Sequence, residues 1–99
     1  MLDQPENTGQ RRAILTVLGS DRPGIVACVA STLASHEANI LDISQTILQG
    51  IFTMTMLVDV GKSPVTFQEL SDELADLEKT LGVQIQIQRE EVFNYMYRL

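Results

Sequence analysis

Asp21-Arg22-Pro23-Gly24-Ile25-Val26 stands between a strand-length apolar run, Ala13-Ile14-Leu15-Thr16-Val17-Leu18, and a stretch of helical periodicity that ends before Asn39-Ile40-Leu41-Asp42-Ile43. A strand closing on Asp-x-Pro-Gly makes a tight strand-to-helix turn. Proline is tolerated in a first helical turn because its missing N–H would be unpaired there, and glycine lets another group approach the backbone closely. The free N–H groups of such a helix start suit a carboxylate.

Working outward, Ile25, Val26, Val29, Ala30 and Leu33 fall at three- and four-residue spacing and predict a helix of about four turns over 23–37. Residues 39–49 then alternate, with Leu41, Ile43 and Ile47 on one face and Asp42, Ser44 and Thr46 on the other, a half-buried strand. Gln49-Gly50 supplies a tight turn into Phe52, Met54, Met56, Val58 and Val60, which alternate with Thr53, Thr55 and Asp59. A capping box, Thr66 to Glu69, starts a second helix whose stripe is Phe67, Leu70, Leu74, Leu77 and Leu81, and Gly82 stops it. Val65 and Leu70 occupy the staple positions. Val83, Ile85 and Ile87 alternate with Gln84, Gln86 and Gln88 as the last strand, before helical spacing returns at Val92, Phe93 and Met96.

This order, β-α-β-β-α-β with a short C-terminal helix, is an α+β fold of ferredoxin-like type, an antiparallel sheet with both helices on one face. Thr, Gln and Ser line the other face. Residues 1–11 read as a mobile leader, and 12–99 as a single domain including the C-terminal helix 90–98. A chain of 99 residues that is 44% hydrophobic builds one modest core, which oligomerisation would enlarge, so a homodimer is expected.

The net charge of −6, with only seven Lys and Arg, makes nucleic acid and anionic membranes poor partners. The polar opening lacks a signal-peptide pattern, no apolar run reaches transmembrane length, and a cytoplasmic protein is expected. A single cysteine allows neither an internal disulfide nor a four-ligand zinc spacing, so no metal or cofactor is expected. Cys28 and His36, eight residues apart on one helix, are separated by about 12 Å along its axis and form no catalytic pair. With one histidine and no triad to assemble, no catalytic residues are assigned and an enzyme is not expected.

Taken together, Asp21-Arg22-Pro23-Gly24-Ile25-Val26, the Asn39-Ile40-Leu41-Asp42-Ile43 strand and the element order resemble the ACT domain, a small regulatory module that commonly binds amino acids. The resemblance covers residues 12–89, and the tail Val92-Phe93-Asn94-Tyr95-Met96-Tyr97-Arg98-Leu99 is similar to that of short stand-alone bacterial and archaeal members of unknown function. Those relatives often carry histidine where this chain has Tyr97. The family implies a ligand held by the loop after strand one and the start of strand two, usually between two domains. Carried over, the loop residues are Asp21, Arg22, Pro23, Gly24 and Ile25, and the strand residues are Asn39, Ile40 and Leu41.

Each feature also has a plainer reading. Asp-x-Pro-Gly occurs in many turns for backbone reasons alone, and Asn39 equally suits a left-handed helix C-cap. His36 suits the negative end of a helix dipole, and Cys28 a small packed side chain beside Val29. Met54 and Met56 read as sheet packing, and Glu69, Asp72, Glu73, Asp76 and Glu78 as a solvated helix face. The aromatic tail either seals the open sheet face or docks on a partner. The function expected is a dimeric module that binds a small molecule, an amino acid, and signals through an unknown protein partner. The alternative is a structural or protein-interaction domain with no retained ligand site. RNA binding on the same topology would need stacking aromatics on the open face and basic flanks, which this chain lacks.

Overall fold

The computed structural model describes residues 11–20 and 23–92. The predicted leader, apart from Arg11, and most of the predicted tail helix lie outside them, as do Asp21 and Arg22. The described elements are β1 (Arg12–Ser20), α1 (Ile25–Ser35), β2 (Asn39–Leu48), β3 (Ile51–Asp59), α2 (Phe67–Leu81) and β4 (Val83–Arg89). A helical turn then begins at 90–92. The strands form one antiparallel sheet in the order β2-β3-β1-β4, the ferredoxin-like arrangement.

Local chemistry accounts for most boundaries. Gln49 and Gly50 both have positive φ, 50° and 82°, the backbone a two-residue hairpin needs to match strand twist. Leu48 therefore faces Ile51 directly. Thr66 accepts the Glu69 N–H at 3.0 Å while the Glu69 carboxylate accepts the Thr66 N–H at 2.8 Å, which completes the capping box. Gly82, at φ 71°, ends α2 and donates its N–H to the Glu78 carbonyl.

The core lies between the helices and one sheet face. Ala13, Leu15 and Val17 of β1, Met54, Met56 and Val58 of β3, and Val29 and Leu33 of α1 are wholly buried. The methionines are packing residues, as their alternation predicts. Leu70, Leu74 and Leu81 supply the α2 side, with Phe67 and Leu77 partly buried. Val83 and Ile85 close the core from β4. On the open face the expected Thr and Gln residues are accompanied by exposed Leu18, Leu48 and Ile51.

Several sequence expectations are corrected. β2 is an edge strand that is exposed along nearly its whole length, not half-buried, because the helices cover the sheet chiefly over β3, β1 and β4. A bulge between Ile40 and Asp42 leaves Leu41 without a partner, so Ile40, rather than Leu41, shares the helix-side face with Ile43 and Ile47. The Asp42 carboxylate accepts the Ile43 N–H beside it at 2.9 Å. α1 runs over 11 residues, three turns instead of four. Cys28 is exposed rather than packed, since the buried side of α1 is the narrow line Ile25, Val29 and Leu33.

Of the acidic face read on α2, Glu69, Asp72, Glu73 and Asp76 are exposed as expected, and Glu78 departs from it. Glu73 engages His36, which is the C-cap of α1 as its position implies, and so links the two helices. Glu78 is half-buried and accepts the Ile85 N–H of β4 at 2.6 Å.

Candidate functional site

Gly24 is the N-cap of α1, at φ 89° in the left-handed region, and none of the described residues lies within 4 Å of where its Cβ would stand. An L-residue there is strained although there is room for it. Pro23 precedes the cap instead of occupying the first helical turn. The first helical hydrogen bond runs from Cys28 N–H to the Gly24 carbonyl at 2.9 Å, and among the described residues no side chain caps the helix start. The N–H groups of Ile25, Val26 and Ala27 have no intrahelical acceptor, and these residues line a groove of about 420 Å³ together with Gly24, Gln45, Ile47 and Phe52.

The chemistry of this groove follows from its walls. Backbone donors at a helix start favour a negative group, and Ile47 and Phe52 offer an apolar flank. The Gln45 amide supplies both a donor and an acceptor. Gln45, Ile47 and Phe52 were not singled out by sequence reading. Their alignment beside Gly24 depends on the β2-β3 register, which pairs Gln45 with Met54 and Ile47 with Phe52. The hairpin signal at Gln49-Gly50 was the one feature from which that register could be counted.

Of the carried-over residues, Pro23 and Gly24 are exposed and Gly24 lines the groove, while the Ile25 side chain is 1% exposed and serves the core. Asn39 and Ile40 stand at the other end of β2, where Asn39 pairs with Asp59. Asp59 lies seven residue steps along β3 from Phe52, so the two halves of the expected site are about 23 Å apart along the sheet within one chain. The left-handed residue after α1 is Glu37, at φ 60°, so Asn39 is not a helix cap but the first residue of β2.

The Asn39 end of the sheet carries its own polar cluster. Arg12 donates from Nε and Nη2 to the two Glu90 carboxylate oxygens, both at 2.8 Å. That hydrogen-bonded pairing raises the Arg12 pKa; partial burial opposes it, and the charges of Glu90 and Asp59 add to it. Arg89 lies 4.4 Å from the centroid of the Phe67 ring, a cation–π contact between β4 and α2. Among the described residues, no group of three or more His, Cys, Asp or Glu is placed to hold a metal ion, and no helix is long and apolar enough to cross a membrane.

Comparison with known proteins bears on these features. The ACT domain profile matches residues 11–88. A UPF0237 protein of Methanopyrus kandleri is 49% identical over 88 residues, covering 89% of this chain and 98% of its own length. Among solved structures, an ACT domain protein from Streptococcus pneumoniae superposes with a TM-score of 0.75 at 41% identity, covering 88% of this chain and 98% of that one. A protein described as a putative glycine cleavage system transcriptional repressor gives a TM-score of 0.71 at 25% identity, covering 81% of this chain and 46% of that one. ACT domains are regulatory modules that bind amino acids and other small molecules. The profile match across β1 to β4, the relatives matched over nearly their whole length and the β2-β3-β1-β4 sheet agree: this chain belongs to the ACT domain family.

Proposed function

We propose that this chain is a regulatory module that binds a small carboxylate-bearing metabolite, an amino acid, as a homodimer and passes the signal to a separate protein. The observation that carries this reading is the start of α1, which no described side chain caps and whose first residues line the groove bounded by Gln45, Ile47 and Phe52. The ligand carboxylate takes the backbone donors, its apolar side chain lies against Ile47 and Phe52, and Gln45 faces its polar atoms. A similar structure is described as a putative glycine cleavage system transcriptional repressor, which accords with a regulatory output.

The homodimer explains how Asn39 takes part although it is remote in its own chain. β2 is an exposed edge bearing Ile43 and Ile47. When two such edges pair antiparallel across a two-fold axis, the start of one β2 lies beside the end of the other. Asn39, Ile40 and Leu41 of one copy then complete the groove at Gly24 of the second. Ligand occupancy favours the arrangement that brings both half-sites together, and this couples binding to dimer geometry.

The test is a thermal-shift titration of the full chain against the twenty amino acids, because a ligand of the folded state raises Tm by mass action. One amino acid should give a saturable rise. Asn39→Ala and Gln45→Ala, both at exposed positions, should each weaken that response about tenfold, equivalent to one lost hydrogen bond of roughly 1.4 kcal/mol, with little change in unliganded Tm. If no amino acid shifts Tm, the ligand reading fails and the exposed Leu18, Leu48 and Ile51 favour a protein-interaction domain instead. Cytoplasmic residence remains part of this proposal.

A further inference from the structure

β4 is a sheet edge whose sequence, Val83-Gln84-Ile85-Gln86-Ile87-Gln88-Arg89, is well suited to recruit another strand. It alternates apolar and amide side chains, contains neither Pro nor Gly, and carries no charge before its last residue. Those are the properties of segments that stack on copies of themselves. Among the described residues, Glu78 stands in the way of such pairing. Glu78 reaches from α2 and its Oε2 accepts the Ile85 N–H at 2.6 Å, near the middle of the strand.

That N–H is not used in pairing with β1, so it marks the outward row of β4 backbone groups. We infer that Glu78 limits assembly of this protein: its carboxylate fills the hydrogen-bonding edge of β4 and keeps a further strand from pairing there. Its position argues for such a role. Glu78 lies in the last turn of α2, where the helix dipole disfavours an acid and where the neighbouring Lys79 is the residue type expected. The edge contact offsets that cost.

The described residues place no such guard on the opposite edge. Among the described residues, no helix side chain is hydrogen-bonded to the β2 backbone, and the Asp42 carboxylate there turns to its own neighbour, Ile43. The two edges are therefore chemically unlike. This extends the dimer proposed above: if two β2 strands join, both outer edges of the joined sheet are β4 strands, and Glu78 on each closes the pair against open-ended growth.

The experiment measures mass by light scattering over a range of concentrations, together with amide exchange at Ile85, for the full chain, Glu78→Ala and Glu78→Gln. Glu78→Ala should form larger species that grow with concentration, and its Ile85 amide should exchange about tenfold faster when dilute. Glu78→Gln, whose amide oxygen still accepts the N–H, should keep the parent's mass. A folded Glu78→Ala of parental mass at every concentration would overturn the inference. Should that variant fail to fold, the parent decides: an Ile85 amide exchanging like a free peptide overturns it, and a protected one upholds the contact. A parent that is monomeric throughout defeats the dimer reading alone, because growth of Glu78→Ala would still establish the edge function.

Discussion

Gly19→Ala is expected to destabilise the protein by about 1–3 kcal/mol, the usual cost of overpacking. Gly19 lies on the helix-side face of β1, where it pairs with Val83 of β4 and Phe52 of β3. A Cβ there would stand 2.7 Å from Val83 Cγ1, 3.0 Å from its Cβ and 3.1 Å from its Cα. The first atom belongs to a side chain, but the last is backbone, so rotation of Val83 cannot relieve the clash. For a domain of this length each kcal/mol lowers Tm by about 4–8 °C. Denaturant unfolding of Gly19→Ala, Val83→Ala and the double variant checks this. The double variant should recover part of the loss, since it removes Cγ1 but leaves the crowding against the Val83 backbone. Strict additivity of the two single effects would contradict this steric coupling.

Leu74→Ala is expected to cost more, about 2–5 kcal/mol, through lost burial and the cavity left behind. Leu74 is 1% exposed at the middle of α2, between Leu70 and Leu81 on the same stripe. α2 covers β4 from the outside, so no second layer can move in to fill the space. The midpoint of urea unfolding should fall with little change in slope. A loss below about 1 kcal/mol would place α2 less firmly on the sheet than its burial indicates.

Features whose causes are local were legible in the sequence. The Thr66-Glu69 box, the Gly82 stop, the Gln49-Gly50 turn and the Val-Gln-Ile-Gln alternation each depend on neighbours within a few residues, and each stands where expected. Features decided by distant partners were not. Simple alternation groups Leu41 with Ile43 and Ile47, and only the ladder to β3 shows it is unpaired. Gly19 looks like the end of a strand until Val83 is set against it. Sequence reading groups Glu73 and Glu78 with Asp72 and Asp76, but Glu73 meets His36 of a distant segment, and Glu78 meets Ile85 only once β4 has folded back beside α2.

The candidate site divides the same way. The helix start at Gly24 was visible because glycine after proline marks a backbone requirement, and that position is indeed left-handed. Gln45, Ile47 and Phe52 were not, because the hairpin must be folded before they meet α1. Strand direction carries Asn39 away from Gly24, a separation that fold order alone did not reveal.

The bulge in β2 bears on how the length of this chain can vary. On either side of Leu41 the strand keeps one phase, with Ile40 opposite Val58 and Ile43 opposite Met56. Loss of Leu41 alone would restore a regular ladder and leave every other β2 side chain on its present face. Loss of Ser44 or any later strand residue would turn part of β2 over, sending apolar groups to the polar side and polar groups beneath the helices. β2 therefore has a single point at which a residue can be deleted without rewriting the rest of the strand, and it lies within the segment proposed to meet the ligand.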